Sequence, residues 1–416
     1  MFDSLKNSQI VPNQTHEMKP ISVQERFPII DVLRGVAILC ILFLNMLPFS
    51  FPDNFHSFYL KMFNGMGDTI IYELVEFFGR GKFYSMLAFL FGLGMAVQVS
   101  RSLDTDNKFS WFYSRRLLLL LAIGLFHDLF LWGGIILIIY STMGFFLLFF
   151  KKRQPKTLLT WAVIFFLMPV LINVIFPHKK PAPPANVNQQ QAADLETKKV
   201  QEAIKIYQEG SYGDMFHLRL QKLERTVLIT ARAGWSILAL FLLGIWAWQK
   251  RIFQDLEKNL KFLKKTWRFS LALGLGGTAI HFLADKLFNP GQSLAVEIIG
   301  GLIQITGTTG LSFFYIISIV FLYRKAAWRK ILKPLEATGR MALSNYFLQS
   351  LLCTALFYSY GFKLFGKTGP LMAFLLVFPI SAVQVLFSAW WIKHFRFGPV
   401  EWLWRSLTYG KWQKIV

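Results

Sequence analysis

Cysteine is nearly absent from this chain, with only Cys40 and Cys353 in 416 residues. Both lie in long apolar runs, so a disulfide framework is excluded and two thiols are too few for a thiolate metal site. Acidic residues are also scarce, 23 against 45 Lys and Arg. A nucleotide-binding loop is excluded as well. Phe91-Gly92-Leu93-Gly94 sits inside an apolar run with no strand before it and no Gly-Lys-Ser/Thr ending. No short tandem repeat and no convincing inverted repeat is visible. A cleavable leader is not expected, because the first apolar run is too long, follows a 28-residue polar lead and lacks a small-residue cleavage site.

What the chain has in abundance is apolar sequence: 54% of its residues are hydrophobic and the mean hydropathy is +0.43. That leaves little to cover a water-facing surface. A formal charge of +22 in a soluble domain would point to nucleic acid. Here the cations stand at the ends of apolar runs and read as orientation signals against anionic lipid, so no nucleic-acid partner is expected. The expected location is the cell membrane, with the lipid bilayer as the first partner; a homo-oligomer is left open.

The runs predict an all-α, polytopic transmembrane bundle of about ten spans: 29–47, 83–99, 117–132, 133–150, 158–176, 227–248, 269–284, 302–323, 343–360 and 371–392. Read as one helix, 117–150 would be about 50 Å long, so Gly133-Gly134 marks the turn of a tight hairpin. With ten spans, the basic residues of 101–116, 151–156, 250–268, 324–340 and 393–414 fall on one side, joined by Lys6, Lys19 and Arg26. Both termini are therefore placed in the cytoplasm. The chain divides into a cytoplasmic segment 1–28, an N-terminal membrane bundle 29–176 with the candidate site, an extracytoplasmic loop 177–226, and a C-terminal membrane domain 227–416. The loop opens on Pro-Ala-Pro-Pro and then carries Val200, Ile204 and Tyr207 at helical spacing, which predicts an outer helix over 195–210. Gly92 and Gly94, and the glycines from Gly300 to Gly310, predict close helix contacts, the second set with a break in its helix.

Charges and amides at membrane depth are the costly features and hence the functional leads. Asp31 and Arg34 share one helical face, as an ion pair that pins the helix end or orients a substrate. Asn45 lies toward the outer end of the same run and His56 beyond it. An amide that donates and accepts beside an imidazole suits abstraction of a hydroxyl or amine proton. His127, followed by Asp128, is a second candidate, expected in a polar pocket that opens outward. Glu73 and Glu76 are placed to pair with Arg80 or to form a solvated face.

Four stretches carry a resemblance: Asp31-Val-Leu-Arg-Gly-Val-Ala with Asn45, Gly81-Lys-Phe through Gly94, Arg115-Arg116 through His127, and Pro334 through Ser350 continuing in Phe395 through Gly410. On these the chain resembles the YeiB-like family of bacterial multi-pass membrane proteins, known through their C-terminal domain of unknown function 418. The family in turn looks related to transmembrane acyltransferases of the heparan glucosaminide N-acetyltransferase type. In that group an Asn at the outer end of the first core helix and a His beyond it form the catalytic pair. Their order and spacing match Asn45 and His56. The resemblance implies acyl transfer from a cytosolic acyl-CoA, a substrate rather than a tightly bound cofactor, to a glycan or small amine or hydroxyl acceptor outside. Arg34, Arg115 and Arg116 would attract the donor's phosphates. Where the family reads Gly-Asp-Ile-Leu after the His127 segment, this chain has Gly134-Ile135-Ile136-Leu137. A transporter or exporter of a small metabolite would also need two mouths and stands as the alternative.

Overall fold

The computed structural model describes residues 27–52, 55–101, 106–177, 189–287 and 294–416. The N-terminal Lys6, Lys19 and Arg26 lie outside them. The regular structure is helical. In the first half it comprises α1 Pro28–Ser50, α2 His56–Met62, α3 Met66–Gly79, α4 Lys82–Arg101, α5 Asp106–Phe126, α6 Ile136–Leu147 and α7 Pro155–Ile175. The connecting helices are α8 Gln189–Glu209 and α9 Tyr212–Gln221. The second half comprises α10 Leu223–Gln249, α11 Leu256–Leu287, α12 Leu294–Tyr323, α13 Ala326–Arg340, α14 Ala342–Phe357, α15 Pro370–His394 and α16 Pro399–Tyr409.

Each of the ten apolar runs falls for most of its length on a helix. Six stretches are long and apolar enough to cross a membrane: Pro28–Ser50, Met66–Ser100, Pro155–Ile175, Leu223–Gln249, Leu294–Tyr323 and Pro370–His394. The 136–150 and 342–357 segments are shorter apolar helices. The protein is a multi-pass, all-α bundle of the cell membrane, and large apolar side chains on its long helices, such as Val163, Ile299 and Leu386, remain exposed for lipid.

Glycine sets the closest crossings. An added Cβ at Gly92 of α4 would lie 1.9 Å from the Phe241 carbonyl oxygen of α10, and one at Gly244 of α10 would lie 2.1 Å from the Phe89 oxygen. In lipid, where burial of apolar surface gives helices little reason to associate, such backbone approach maximises van der Waals contact. Gly35 of α1 and Gly339 of α13 make the same kind of contact. The glycines of α12 also serve close contact, with Gly307 and Gly310 against α11. The expected break is not there, since α12 runs unbroken from Leu294 to Tyr323.

The hairpin is present. After α5 the chain widens into a π turn over His127–Leu131, closed by the Trp132 N–H donating to the His127 carbonyl at 2.8 Å. Residues 132–135 then reverse the chain through Gly133-Gly134 into α6. The helix expected over 195–210 is longer, Gln189–Glu209, and buries Val200 and Tyr207. Helix α9 follows it, opened by a capping box between Ser211 and Asp214.

Candidate functional site

Helix α1 starts on Pro28, whose missing N–H costs nothing there, and its first turns carry the charges. Arg34 Nη1 lies 3.1 Å from Asp31 Oδ1, the pair expected from the spacing. Arg116, immediately before the apolar part of α5, holds its guanidinium 4.0 Å over the Trp404 ring, while Trp404 Nε1 donates to the Arg116 carbonyl at 2.9 Å. Arg34 stands close enough to repel it. Arg115 faces Gly410, where a Cβ would come 3.2 Å from Nη1. The three predicted arginines thus gather at one end of the bundle. Near that end an open cleft of about 450 Å³ is lined by Ser110, Phe145, Phe146, Leu148, Phe149 and Lys151.

Eleven residues beyond Arg34 and eleven beyond Arg116 come Asn45 and His127, in each case about 16 Å along the helix. Asn45 is buried and its Oδ1 accepts a short hydrogen bond from the Tyr84 hydroxyl. The Tyr84 carbonyl accepts from Tyr140 at 2.6 Å, which ties α4 to α6. His127 is fully buried, not open outward, because Tyr346 stacks on it at 4.6 Å and Phe347 and Trp132 close its other sides. Its Nε2 pairs with Ser350 Oγ at 2.7 Å, and Nδ1 has no partner. The Tyr346 phenol lies near both Tyr84 and Asp128. Gly134 leaves the room, since a Cβ there would lie 2.2 Å from the Tyr346 hydroxyl.

One buried polar centre therefore holds Asn45, Tyr84, Tyr346, His127 and Ser350, contributed by α1, α4, α5 with its π turn, and α14. His56 begins α2, but its side chain lies outside the described residues. Among the described residues no group of three or more His, Cys, Asp or Glu is placed to hold a metal. Glu73 and Glu76 part ways: Glu76 pairs with Arg80 at 2.8 Å and Glu73 with Lys286 at 2.9 Å.

Sequence reasoning missed the two tyrosines and Ser350, which carry no charge and hide in apolar runs. It also missed a ladder of buried amides. Gln349 Nε2 donates to the Ile38 carbonyl at 2.9 Å and to Gln384 Oε1 at 3.1 Å. Gln384 Nε2 donates to the Asn345 carbonyl at 2.9 Å, and Asn345 Nδ2 to Ser388 Oγ at 2.8 Å. Above it, Glu401 of α16 caps α14, accepting from the Leu343 N–H at 2.7 Å, the Ser344 N–H at 3.1 Å and the Ser344 hydroxyl. Gly398 makes room, because a Cβ there would come 2.2 Å from Glu401 Oε2.

Comparison with known proteins finds the same pieces elsewhere. Residues 247–411 match a family model described as a protein of unknown function, DUF418. Over the whole length, the chain is 35% identical to "Uncharacterized protein YxaH" of Bacillus subtilis across 415 residues, covering 96% of this chain and 98% of the other. It is 28% identical to "Uncharacterized protein YeiB" of Escherichia coli across 399 residues, covering 92% and 96%. A 39.9 kDa protein of Bacillus acidopullulyticus, from an amylase 3' region, is 27% identical across 408 residues, covering 95% and 97%. No solved structure matches the chain.

Proposed function

From its membership of the DUF418-bearing, YeiB-like family, we propose that this protein moves an acyl group from cytosolic acyl-CoA to a glycan or small amine or hydroxyl acceptor across the membrane. In this reading the chain crosses about ten times with both termini inside, and 177–226 lies outside. The observation that supports it is the split of polar groups between two levels of an apolar bundle. Arg34, Arg115 and Arg116 collect at one level, and Asn45, Tyr84, Tyr346 and His127 at another.

Paired guanidiniums suit phosphate oxygens, and Asp31 holds Arg34 in place. At the far level His56 takes the proton of the acceptor's hydroxyl or amine as that group attacks the thioester carbonyl. The carbon–sulfur bond breaks and the CoA thiolate leaves toward the arginines. Asn45, oriented by Tyr84, donates to the developing oxyanion, and His127 with Ser350 frames the acceptor.

Calorimetry in nanodiscs with acetyl-CoA and longer acyl-CoAs tests the reading. Saturable binding that weakens in a folded Arg115/Arg116 double substitution is expected, together with a roughly 100- to 10,000-fold loss of transfer in His56→Ala. Absence of binding across the panel in folded protein moves the weight to a transporter. One feature favours that second reading: the π turn and the non-helical residues 132–135 interrupt the backbone beside buried polar groups.

A further inference from the structure

A buried cation beside the second of these levels belongs to neither set of residues named above. Arg219, on α9, is 2% exposed. Its Nη1 donates to the Leu129 carbonyl at 3.2 Å and its guanidinium lies 5.6 Å from the Tyr358 ring centre. Nε and Nη2 have no hydrogen-bond partner. These two nitrogens form one edge of the guanidinium, the edge that takes two oxygens of a carboxylate or phosphate in parallel. Among the described residues no carboxylate comes within ion-pair distance of it.

The surroundings point the same way. The Tyr207 and Tyr358 hydroxyls come within hydrogen-bonding reach of the guanidinium and Tyr360 stands near it, leaving the Nε–Nη2 edge unpartnered, and Asp128 and His127 both feel its charge. A buried cation with a free bidentate edge is expensive to leave empty. Since α9 packs on the π turn, a group held on that edge stands beside the segment that carries His127 and Asp128. We infer that the Nε–Nη2 edge of Arg219 binds an anionic group, a carboxylate or a phosphate, of the molecule that enters the polar centre from the side of α8 and α9. This rests on the reading above only in assigning that molecule as the acceptor; the binding itself needs no acyl donor.

The test uses the full chain in phosphatidylcholine nanodiscs without acyl-CoA. Inorganic phosphate or acetate is titrated at constant ionic strength against chloride while the unfolding midpoint is followed. Wild type is expected to show a saturable rise. Arg219→Gln is expected to lose it, and Arg219→Lys, which keeps the charge but not the fork, to need at least about tenfold more anion. The lysine variant keeps the question decidable if the glutamine variant does not fold. If the occupant is a lipid headgroup, phosphatidylglycerol discs stabilise wild type over Arg219→Lys and added phosphate contributes nothing more. Equal responses of wild type and Arg219→Lys to both soluble anions and lipid, or no response to either, overturn the inference and leave water as the partner. Transfer activity that survives such a result would still support the acyltransferase, while Arg219-dependent anion binding without acyl-CoA binding would remove the acyltransferase alone.

Discussion

Replacing Glu401 by alanine should destabilise the bundle. The carboxylate accepts from two backbone N–H groups in the first turn of α14 and from the Ser344 hydroxyl. Glu401 is 9% exposed and Ser344 5% exposed, so water cannot easily replace it. Loss of a helix cap costs about 1 kcal/mol, and buried donors left unsatisfied add to it, giving about 2–4 kcal/mol in total. Burial pushes the Glu401 carboxyl above the ordinary glutamate range, against the hydrogen bonds from Ser344 and Leu343 that pull it down. The sign follows: the folded state holds this proton more tightly than the unfolded chain, so the contribution is full below the unfolded value and is lost as pH rises through the folded one. Glu401→Gln keeps an acceptor for the N–H groups and an amide that donates to Ser344. It should therefore unfold near the wild-type midpoint and lack the wild type's decline as pH rises above the ordinary glutamate range. The assay is thermal unfolding in detergent followed by tryptophan fluorescence. A wild-type midpoint for Glu401→Ala would refute the cap, and a glutamine variant as weak as the alanine one would show that the ionised form carries it.

Gly92→Ala would drive a methyl group to 1.9 Å from the Phe241 oxygen and should cost about 1–3 kcal/mol or more by overpacking; Gly276→Ala, with open space around it, should leave the unfolding midpoint unchanged or raise it. Single cysteines at Arg153 and Lys264 should react only with membrane-permeant thiol reagents, and one at Glu202 with impermeant ones. External labelling at either of the first two would break the proposed orientation.

The helices were legible because their signal is cumulative: long apolar runs bounded by Lys and Arg survive an error of a few residues at each end. Gly133-Gly134 located the hairpin for the same reason, since two glycines in a row tell against a continuous helix. Helices α13 and α16 were not foreseen, because amphipathic segments lying beside the bundle have no long apolar run, and their Lys and Arg read as connecting loops. Asp31 with Arg34 was readable from a spacing of three on one helix. Tyr84 with Asn45 and Ser350 with His127 were not, because each joins residues far apart in the chain and uses hydroxyls that local pattern does not flag. The expected outward pocket at His127 failed on Tyr346, whose ring covers the imidazole.

The amide ladder has a consequence for how this molecule can be divided. One of its rungs is the Ile38 carbonyl on the first helix, taken by Gln349 more than three hundred residues later, and Gly339 of α13 is fitted against the Asp31 backbone of that same helix. The matched region 247–411 is a unit of ancestry rather than of assembly. During synthesis the first helix enters the bilayer with its later partners still unmade, and α13 through α15 close around it at the end. Expressed alone, the C-terminal region would display a glutamine short of one acceptor and a glycine-lined seam toward lipid. Co-expressed with residues 1–226 as a separate chain, it could recruit the missing helix in trans.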